Sequence, residues 1–214
     1  MSHNTRLAYL LGEMRREKNG AVADFMRFYG AKYGLNYGVS LATVRAKACA
    51  ERSDDSAADH KFATLLYRQE VRELQLAAFH LADPELVVSN DEFDFWAKGV
   101  INSEVAEELA FALLCRCKGV ERWLDYDGEL LHYAAVMAIA KGGDIAIDRY
   151  SDRLLHLLEA EQNLLPKAVV ALLSAAIKGG VSDGVIKGFV DRLPAESGGA
   201  NYIREEILWR LEFR

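Results

Sequence analysis

Apolar residues recur at intervals of three and four along nearly the whole chain, as they do on one face of a helix, and strand-like alternation is scarce. In the first such segment, 6–18, the apolar positions are Leu7, Leu10, Leu11 and Met14. Comparable segments follow at 22–31, 41–52, 56–81, 93–100, 103–117, 121–126, 129–140, 144–161, 165–178, 183–193 and 202–213. The pattern predicts an all-α fold.

The segment 103–117 carries two apolar stripes, which predicts a helix covered on more than one side, near the middle of a stack. Ser103 is suited to cap its start, and glutamates follow in the first turns, where the helix dipole favours negative charge. Gly119 is the expected stop.

Several helical segments end alike, with lysine followed by glycine, at Lys118-Gly119, Lys141-Gly142-Gly143 and Lys178-Gly179-Gly180. The segments before these ends are rich in small apolar residues. Helix pairs of this length in series are typical of an α-solenoid of HEAT-like helical repeats (an alpha-alpha superhelix), and we expect one repeat domain over 1–214. Since the period is irregular, a compact helical bundle is the alternative.

Composition is that of a soluble globular protein, with 51% hydrophobic and 27% charged residues. Because no apolar run approaches a membrane span, we expect a cytoplasmic protein with no membrane partner. Three cysteines in helical patterns are expected to be buried thiols. The lone Glu129-x-x-His132 pair lacks the second pair that a di-iron bundle needs, so the sequence predicts no metal and no cofactor.

The net charge of −6 is unevenly distributed. Residues 1–50 contain eight basic and three acidic side chains, a net charge of +5, so the remainder carries −11. The acidic whole argues against strong non-specific DNA binding, whereas the basic first quarter allows a local patch.

Three stretches resemble the AlkD-like DNA alkylation repair glycosylases. The last helix, 202–212, resembles that family's closing helix with its apolar pair, tryptophan and leucine. The helix 70–79 is similar to the family's Glu/Arg-rich helix that ends in small apolar residues. Gly38-Val39-Ser40 leading into 41–45 is similar to the family's Gly-Val entry.

The resemblance implies a curved stack of HEAT-like helix pairs whose concave face holds duplex DNA. It also implies excision of N3- or N7-alkylated purines, whose positive charge makes them good leaving groups. A carboxylate would stabilise the oxocarbenium-like transition state electrostatically, and tryptophans would pack against the lesion.

Carried over residue by residue, the resemblance places the family's C-terminal tryptophan at Trp209, with Glu212 where an arginine is expected. The family's Trp-Asp-x-Val-Asp signature falls on 102–106, so Asn102 replaces the tryptophan and Ala106 the catalytic aspartate. Glu104 and Glu107 are the catalytic substitutes on this alignment, and Trp96 the substitute aromatic.

The residues and the resemblance together predict eight DNA contacts. Tyr33, Asn36 and Tyr37 lie in a glycine-flanked loop suited to stack on bases, and Arg45 and Lys47 project from a helix face. The resemblance adds Trp96, Asn102 and Trp209. Plainer structural roles are the alternatives: a core or terminal-cap position for Trp209, gap filling for the loop residues, and a solvated helix face for Arg45 and Lys47. For Glu104, Glu107 and Glu108 the alternative is pairing with the helix dipole. Two functions follow, a DNA-binding protein of the alkylation-repair type or a non-catalytic scaffold that binds a protein partner. The charge of the binding face would distinguish them.

Overall fold

In a computed structural model, the structure describes residues 2–143, 145–195 and 197–213, and within these ranges all regular secondary structure is helical. The first eight α-helices are α1 (His3–Arg16), α2 (Gly20–Phe28), α3 (Leu41–Ala50), α4 (Ser56–Tyr67), α5 (Arg72–Leu81), α6 (Pro84–Ser89), α7 (Phe93–Ala97) and α8 (Ser103–Ala112). Two 3-10 helices follow, Leu114–Arg116 and Val120–Asp125. The remaining helices are α9 (Glu129–Gly142), α10 (Ile147–Leu157), α11 (Leu165–Lys178), α12 (Asp183–Asp191) and α13 (Gly198–Glu212). The predicted all-α class is confirmed.

The chain divides into two compact units, Met1–Leu113 and Leu114–Arg214. In the first unit, α5 is the central helix and packs against α3, α4 and α8. Nearly all of its residues are buried, including the charged pair Arg72 and Glu73 at its start. In the second unit, α11 packs against α9, α12 and α13.

Side-chain caps fix where several helices begin. Ser40 accepts a hydrogen bond from the amide of Thr43 and so starts α3, as the sequence predicted. Asn19 does the same for α2 through the amide of Val22. At Asp83-Pro84 the chain leaves α5 and Pro84 takes the first position of the short helix α6, which the pattern did not predict.

The prediction for 103–117 is wrong in two respects. Asn102, and not Ser103, caps α8, because its side chain accepts from the amide of Val105 at 3.0 Å. The α-helix also ends at Ala112, and a 3-10 helix occupies Leu114–Arg116. The expected burial on more than one side is confirmed, since Val105, Ala106, Leu109 and Ala110 are all buried.

The predicted lysine–glycine helix ends are present twice. Gly143 follows α9 with a left-handed φ of 81°, and Gly179 follows α11. Gly119 is also left-handed, but it precedes the 3-10 helix Val120–Asp125 and does not end α8. The start of the predicted segment 144–161 at Asp144 lies outside the described residues, and α10 begins at Ile147.

The loop between α2 and α3 is attached to the start of α5. Leu35 and Val71 form an isolated parallel bridge, in which the amide of Leu35 donates to Glu70 and the amide of Arg72 donates to Leu35 at 2.9 Å. Glu70 adopts a left-handed φ of 53° to make this contact. The loop side chains are thereby held next to the buried charges of α5.

Two smaller expectations had different outcomes. No helix in the described part of the chain is long and apolar enough to cross a membrane. The predicted burial of the thiols is wrong: Cys49 is exposed, and Cys115 and Cys117 are partly exposed.

Candidate functional site

A group of polar side chains from three distant stretches meets in the first unit. We call it the Arg72 cluster and define it as Tyr33, Arg72, Glu73, Asn102 and Glu104. Tyr33 comes from the loop after α2, Arg72 and Glu73 from the start of α5, and Asn102 and Glu104 from the start of α8. The cluster exists because the Leu35–Val71 bridge holds the loop against α5, while α5 packs on α8.

Arg72 is the centre of this cluster, with only 2% of its side chain exposed. Its Nε donates to Glu104 at 2.8 Å, and Nη2 makes a second bond to the same carboxylate. Nη1 donates to the carbonyl of Val39 at 2.8 Å and to Glu73 at 3.1 Å. Burial by itself would lower the pKa of Arg72, but the Glu104 carboxylate outweighs it and keeps the guanidinium charged.

Tyr33 closes the exposed side of the cluster. Its hydroxyl donates to the carboxylate of Glu104 and lies 3.2 Å from Oδ1 of Asn102. Asn102 in turn donates to the carbonyl of Lys32 at 3.4 Å. Burial, followed by the Glu104 carboxylate, raises the pKa of the Tyr33 phenol well above its usual value, so it remains a hydrogen-bond donor at neutral pH.

Glu73 serves the backbone of the same loop. Its buried carboxylate accepts from the amide of Tyr37 at 3.2 Å and from the amide of Val39 at 3.1 Å. These amides lie outside any helix and need a partner once buried. Glu73 therefore fixes the segment that carries several predicted site residues.

A second group, Arg45, His80 and Glu108, lies further along α8. Glu108 is buried and accepts from Arg45 Nε at 2.9 Å and from Nη2 of the same guanidinium, and it also pairs with Nε2 of His80. Burial alone would raise the pKa of Glu108, but the bonds from Arg45 and His80 lower it to about 2. Glu108 is thus a buried acid paired with Arg45 and His80. The sequence had predicted only an interaction with the helix dipole.

A cavity of about 410 Å³ lies beside the loop. Its lining includes the side chains of Arg27, Lys32, Tyr33 and Asn36. Tyr33 belongs both to this lining and to the Arg72 cluster, and so connects the cavity to the start of α8.

The structure brings three of the predicted site residues together, Tyr33, Asn102 and Glu104. Asn36 and Tyr37 lie in the same loop. The amide nitrogen Nδ2 of Asn36 is 3.3 Å from the sulfur of Met26, and the Tyr37 hydroxyl accepts from Arg15 at 3.1 Å. Both side chains support the loop.

Arg45 and Lys47 lie on α3, and each forms ion pairs. Arg45 pairs with Glu108 while half of its side chain stays exposed. Lys47 lies 2.9 Å from Glu13 and is mostly covered. Their positive charges are therefore largely compensated within the first unit.

Trp96 is buried with 0% exposure, among the rings of Tyr67, Phe79 and Phe95. This placement contradicts the predicted DNA contact, because a side chain with no exposed surface presents no ring face to a base. The wrong prediction came from substituting the nearest tryptophan for a missing one.

The remaining predicted residues are accessible. Glu107 is exposed on α8, one turn after Glu104. Trp209 belongs to the second unit, where it is 60% exposed on α13 and stacks on Phe213 with ring centres 5.4 Å apart.

Comparison of the chain with known protein families, with curated proteins and with solved structures found no match. The functional argument therefore depends on the residues themselves.

Sequence reasoning missed Arg72, Glu73, His80 and Glu108 as members of these groups. A signal for the first two was present, because adjacent opposite charges stand directly before the long apolar run of α5. Charges at the start of a helix that is otherwise buried must themselves be paired.

The chemistry available at the start of α8 is electrostatic. The Arg72 cluster contains one cation and two carboxylates, a net charge of −1, and Glu107 adds another carboxylate one turn away. The hydroxyl of Tyr33 and the amide of Asn102 are bonded within the cluster, while 26% of the Glu104 side chain stays exposed. A partly exposed carboxylate beside an aromatic ring is suited to a flat, positively charged ring.

Proposed function

We propose that the chain is a HEAT-like helical repeat protein of the DNA alkylation-repair type, which binds duplex DNA at an alkylated, positively charged purine. The recognition site is the surface formed by Tyr33, Asn102 and Glu104 together with the adjoining cavity. Duplex DNA is the partner, and no cofactor takes part.

One observation carries this proposal. Tyr33 and the pair Asn102 and Glu104 are about 70 positions apart in the sequence. The resemblance predicted the pair at the lesion site, and the glycine-flanked loop separately predicted Tyr33 as a base contact. Their side chains are in direct hydrogen-bond contact. Residues chosen for a shared function and found at one place support that function better than any single motif does.

Charge favours the alkylated purine over the normal one. Alkylation at N3 or N7 makes the base cationic, and the surface at the start of α8 is negative. Phosphates need the opposite charge, which the exposed side chains of Lys32 and Lys18 provide. Attraction for the lesion and for the backbone can therefore come from neighbouring positions.

Base excision is not assigned to Glu104. A carboxylate that stabilises an oxocarbenium-like transition state needs its charge available, whereas that of Glu104 is matched by a forked pair with Arg72. We therefore propose recognition as the principal activity.

The test is fluorescence anisotropy with a duplex that carries one 7-methylguanine and a matched unmodified duplex. We expect the modified duplex to bind more tightly at low salt. Tyr33→Ala and Asn102→Ala should each reduce this preference, and Tyr9→Ala, an exposed tyrosine of α1, is the matched control. Equal affinity of the wild-type protein for both duplexes would rule the proposal out.

Release of 7-methylguanine is measured in parallel. We expect Glu104→Gln to change it little. A wild-type activity that Glu104→Gln abolishes and Glu107→Gln preserves would reverse the assignment made here.

A protein-binding scaffold is the second candidate. The observation that favours it is an apolar strip on α13, where Leu208, Trp209 and Phe213 are 47%, 60% and 69% exposed. Retention of a specific protein partner, lost in Trp209→Ala and unaffected by nucleic acid, would support the scaffold. Lesion-dependent DNA binding would argue against it.

A further inference from the structure

Helix α2 exposes three large aromatic side chains within five residues. Phe25 is 62%, Phe28 83% and Tyr29 70% exposed. We call these three the α2 aromatic cluster. The helix is attached to its unit through Ala23, its one buried residue, and through Met26, which is partly covered.

The cluster is a continuous ring surface. Tyr29 lies between the two phenylalanines, with ring centres 4.4 Å from Phe25 and 5.2 Å from Phe28. Rings that contact one another lose fewer conformations when a ligand covers them than isolated side chains would. A solvent-exposed aromatic surface of this kind costs solubility and marks a binding surface.

The charge around the cluster indicates what covers it. Residues 15–37 contain five basic and two acidic side chains, a net charge of +3 in a chain whose total is −6. In the sequence, Arg27 stands between Phe25 and Phe28. Arg27 and Lys32 both line the cavity described above. The Arg27 pair with Asp24 is fully on the surface and contributes little compensation.

Exposed rings within a basic segment of the chain fit a partner that combines negative charge with flat apolar faces. Single-stranded nucleic acid has both, since its bases stack on aromatic side chains and its phosphates pair with lysine and arginine. An anionic membrane also attracts aromatic and basic residues, but helices that lie in its surface bury an apolar face along their length. Helix α2 has nine residues and buries its own Ala23 face in the protein.

We infer that the α2 aromatic cluster is a stacking platform for unpaired bases of DNA. The inference rests on the proposed function, because it assigns the platform to a strand opened beside the lesion. Tyr29 is followed directly by Gly30, which lines the same cavity as Tyr33, so the cluster and the recognition site adjoin along the chain.

The experiment uses the full chain and a twelve-residue oligothymidylate, which contains no lesion and no duplex. We expect Phe25→Ala combined with Phe28→Ala to weaken its binding by about tenfold or more. Phe25→Tyr combined with Phe28→Tyr keeps the rings and should bind like the wild type. Tyr202→Ala removes an exposed ring in the second unit and is the matched control.

Three results would overturn the inference. The first is undetectable binding of the oligothymidylate to the wild type at 50 mM salt, and the second is equal binding by the alanine variant. The third is that the alanine variant loses co-sedimentation with phosphatidylserine vesicles, or loses self-association, while its oligothymidylate affinity is unchanged.

The two proposals fail in different assays. If the wild type binds the modified and unmodified duplexes equally, the proposed function is refuted, because that comparison uses fully paired duplexes. If the alanine variant binds the oligothymidylate as tightly as the wild type, the stacking platform is refuted. Circular dichroism melting confirms that each variant is folded.

Discussion

The guanidinium of Arg72 stands where a helix start would ordinarily meet solvent, and each of its three nitrogens has a partner. Its ligands come from α8, from its neighbour Glu73 and from the backbone at Val39. A buried ion pair adds little net stability relative to apolar residues of the same shape, yet breaking one leaves an uncompensated charge. Arg72 therefore determines that the loop at Val39 and the start of α8 meet at α5, and contributes little net stability to the fold.

Arg72→Ala should lower the free energy of unfolding by about 3–5 kcal/mol, because it leaves Glu73 buried without its cation. Arg72→Lys should fall between this variant and the wild type, since an ammonium cannot form the forked pair with Glu104. Urea unfolding followed by circular dichroism measures both. Arg68→Ala, at an exposed arginine just before α5, is the control, and an equal effect there would refute the explanation.

Glu108 should make stability depend on acidity. Its pKa is about 2 in the folded protein and near 4.5 when unperturbed, so its contribution is present above pH 4.5 and is lost as the pH falls towards 2. The difference corresponds to about 3 kcal/mol at neutral pH. Urea unfolding of Glu108→Gln should therefore show its largest deficit at pH 7 and a shrinking one below pH 4.5.

The control for Glu108 is Glu107→Gln, an exposed neighbour on the same helix. It should leave the pH profile close to that of the wild type. A deficit for Glu108→Gln that stays constant from pH 7 to pH 2.5 would show that the residue acts through packing and not through its charge.

For individual residues, the sequence indicated which side chains carry functional chemistry but not which side chains contact one another. It marked Tyr33, Asn102 and Glu104, which the structure places in contact. It could not show that Arg45 belongs to Glu108, since 63 positions separate them and only the packing of α3, α5 and α8 brings them together. The predicted DNA contact at Trp96 was wrong for the same reason, because burial is decided by the surrounding residues and not by residue type.

The positions of the helices were the most predictable feature of the structure. Apolar spacing located nearly every one, and Ser40 identified the start of α3 through ordinary capping chemistry. Helix ends were harder to predict where no glycine followed the helix, or where a glycine stood beyond its true end. Helix α8 stops at Ala112, seven positions before the glycine expected to end it, because the chain turns there into a 3-10 helix. That turn is set by tertiary packing, which no local pattern reports.

Gly38 joins two elements, and its replacement should show it. It has a φ of 72°, and an added Cβ would collide with the carbonyl of Asn19 and lie 2.8 Å from the amide of Ala23. Gly38→Ala should therefore destabilise the protein by more than about 2 kcal/mol, the sum of backbone strain and displaced contacts. Urea unfolding gives the value.

Gly30→Ala is the matched comparison for Gly38→Ala. Gly30 has a similar φ of 84° but open space where the Cβ would be, so it isolates the strain, about 1 kcal/mol. Equal losses at the two glycines would mean that the close approach to α2 contributes nothing.

Across the whole molecule, charge limits how DNA can be held. The basic first quarter suggested a positive face, but Arg6, Arg45 and Lys47 are each paired with a carboxylate of the same unit. Counting side chains by sign overestimates the field that a partner meets. The HEAT-like repeat arrangement over 1–214 stays a prediction, while the helical class is established.

The salt dependence of duplex binding should consequently be shallow. With about two phosphates neutralised, by Lys18 and Lys32, the logarithm of the affinity should fall with the logarithm of salt concentration with a slope of about −2. Anisotropy between 50 and 200 mM salt measures it. Lys32→Ala should reduce the slope by about one, and a slope steeper than about −6 would show that the internal ion pairs open on binding.

The bridge between Leu35 and Val71 has a consequence for hydrogen exchange. The amides of Leu35 and Arg72 lie outside regular helical bonding, yet each donates across the bridge. Their deuterium uptake should be slow, should proceed at matching rates, and should accelerate together when either strand of the contact is loosened. Two protected amides in an irregular segment would thus report whether the loop opens with the helices of its unit or ahead of them.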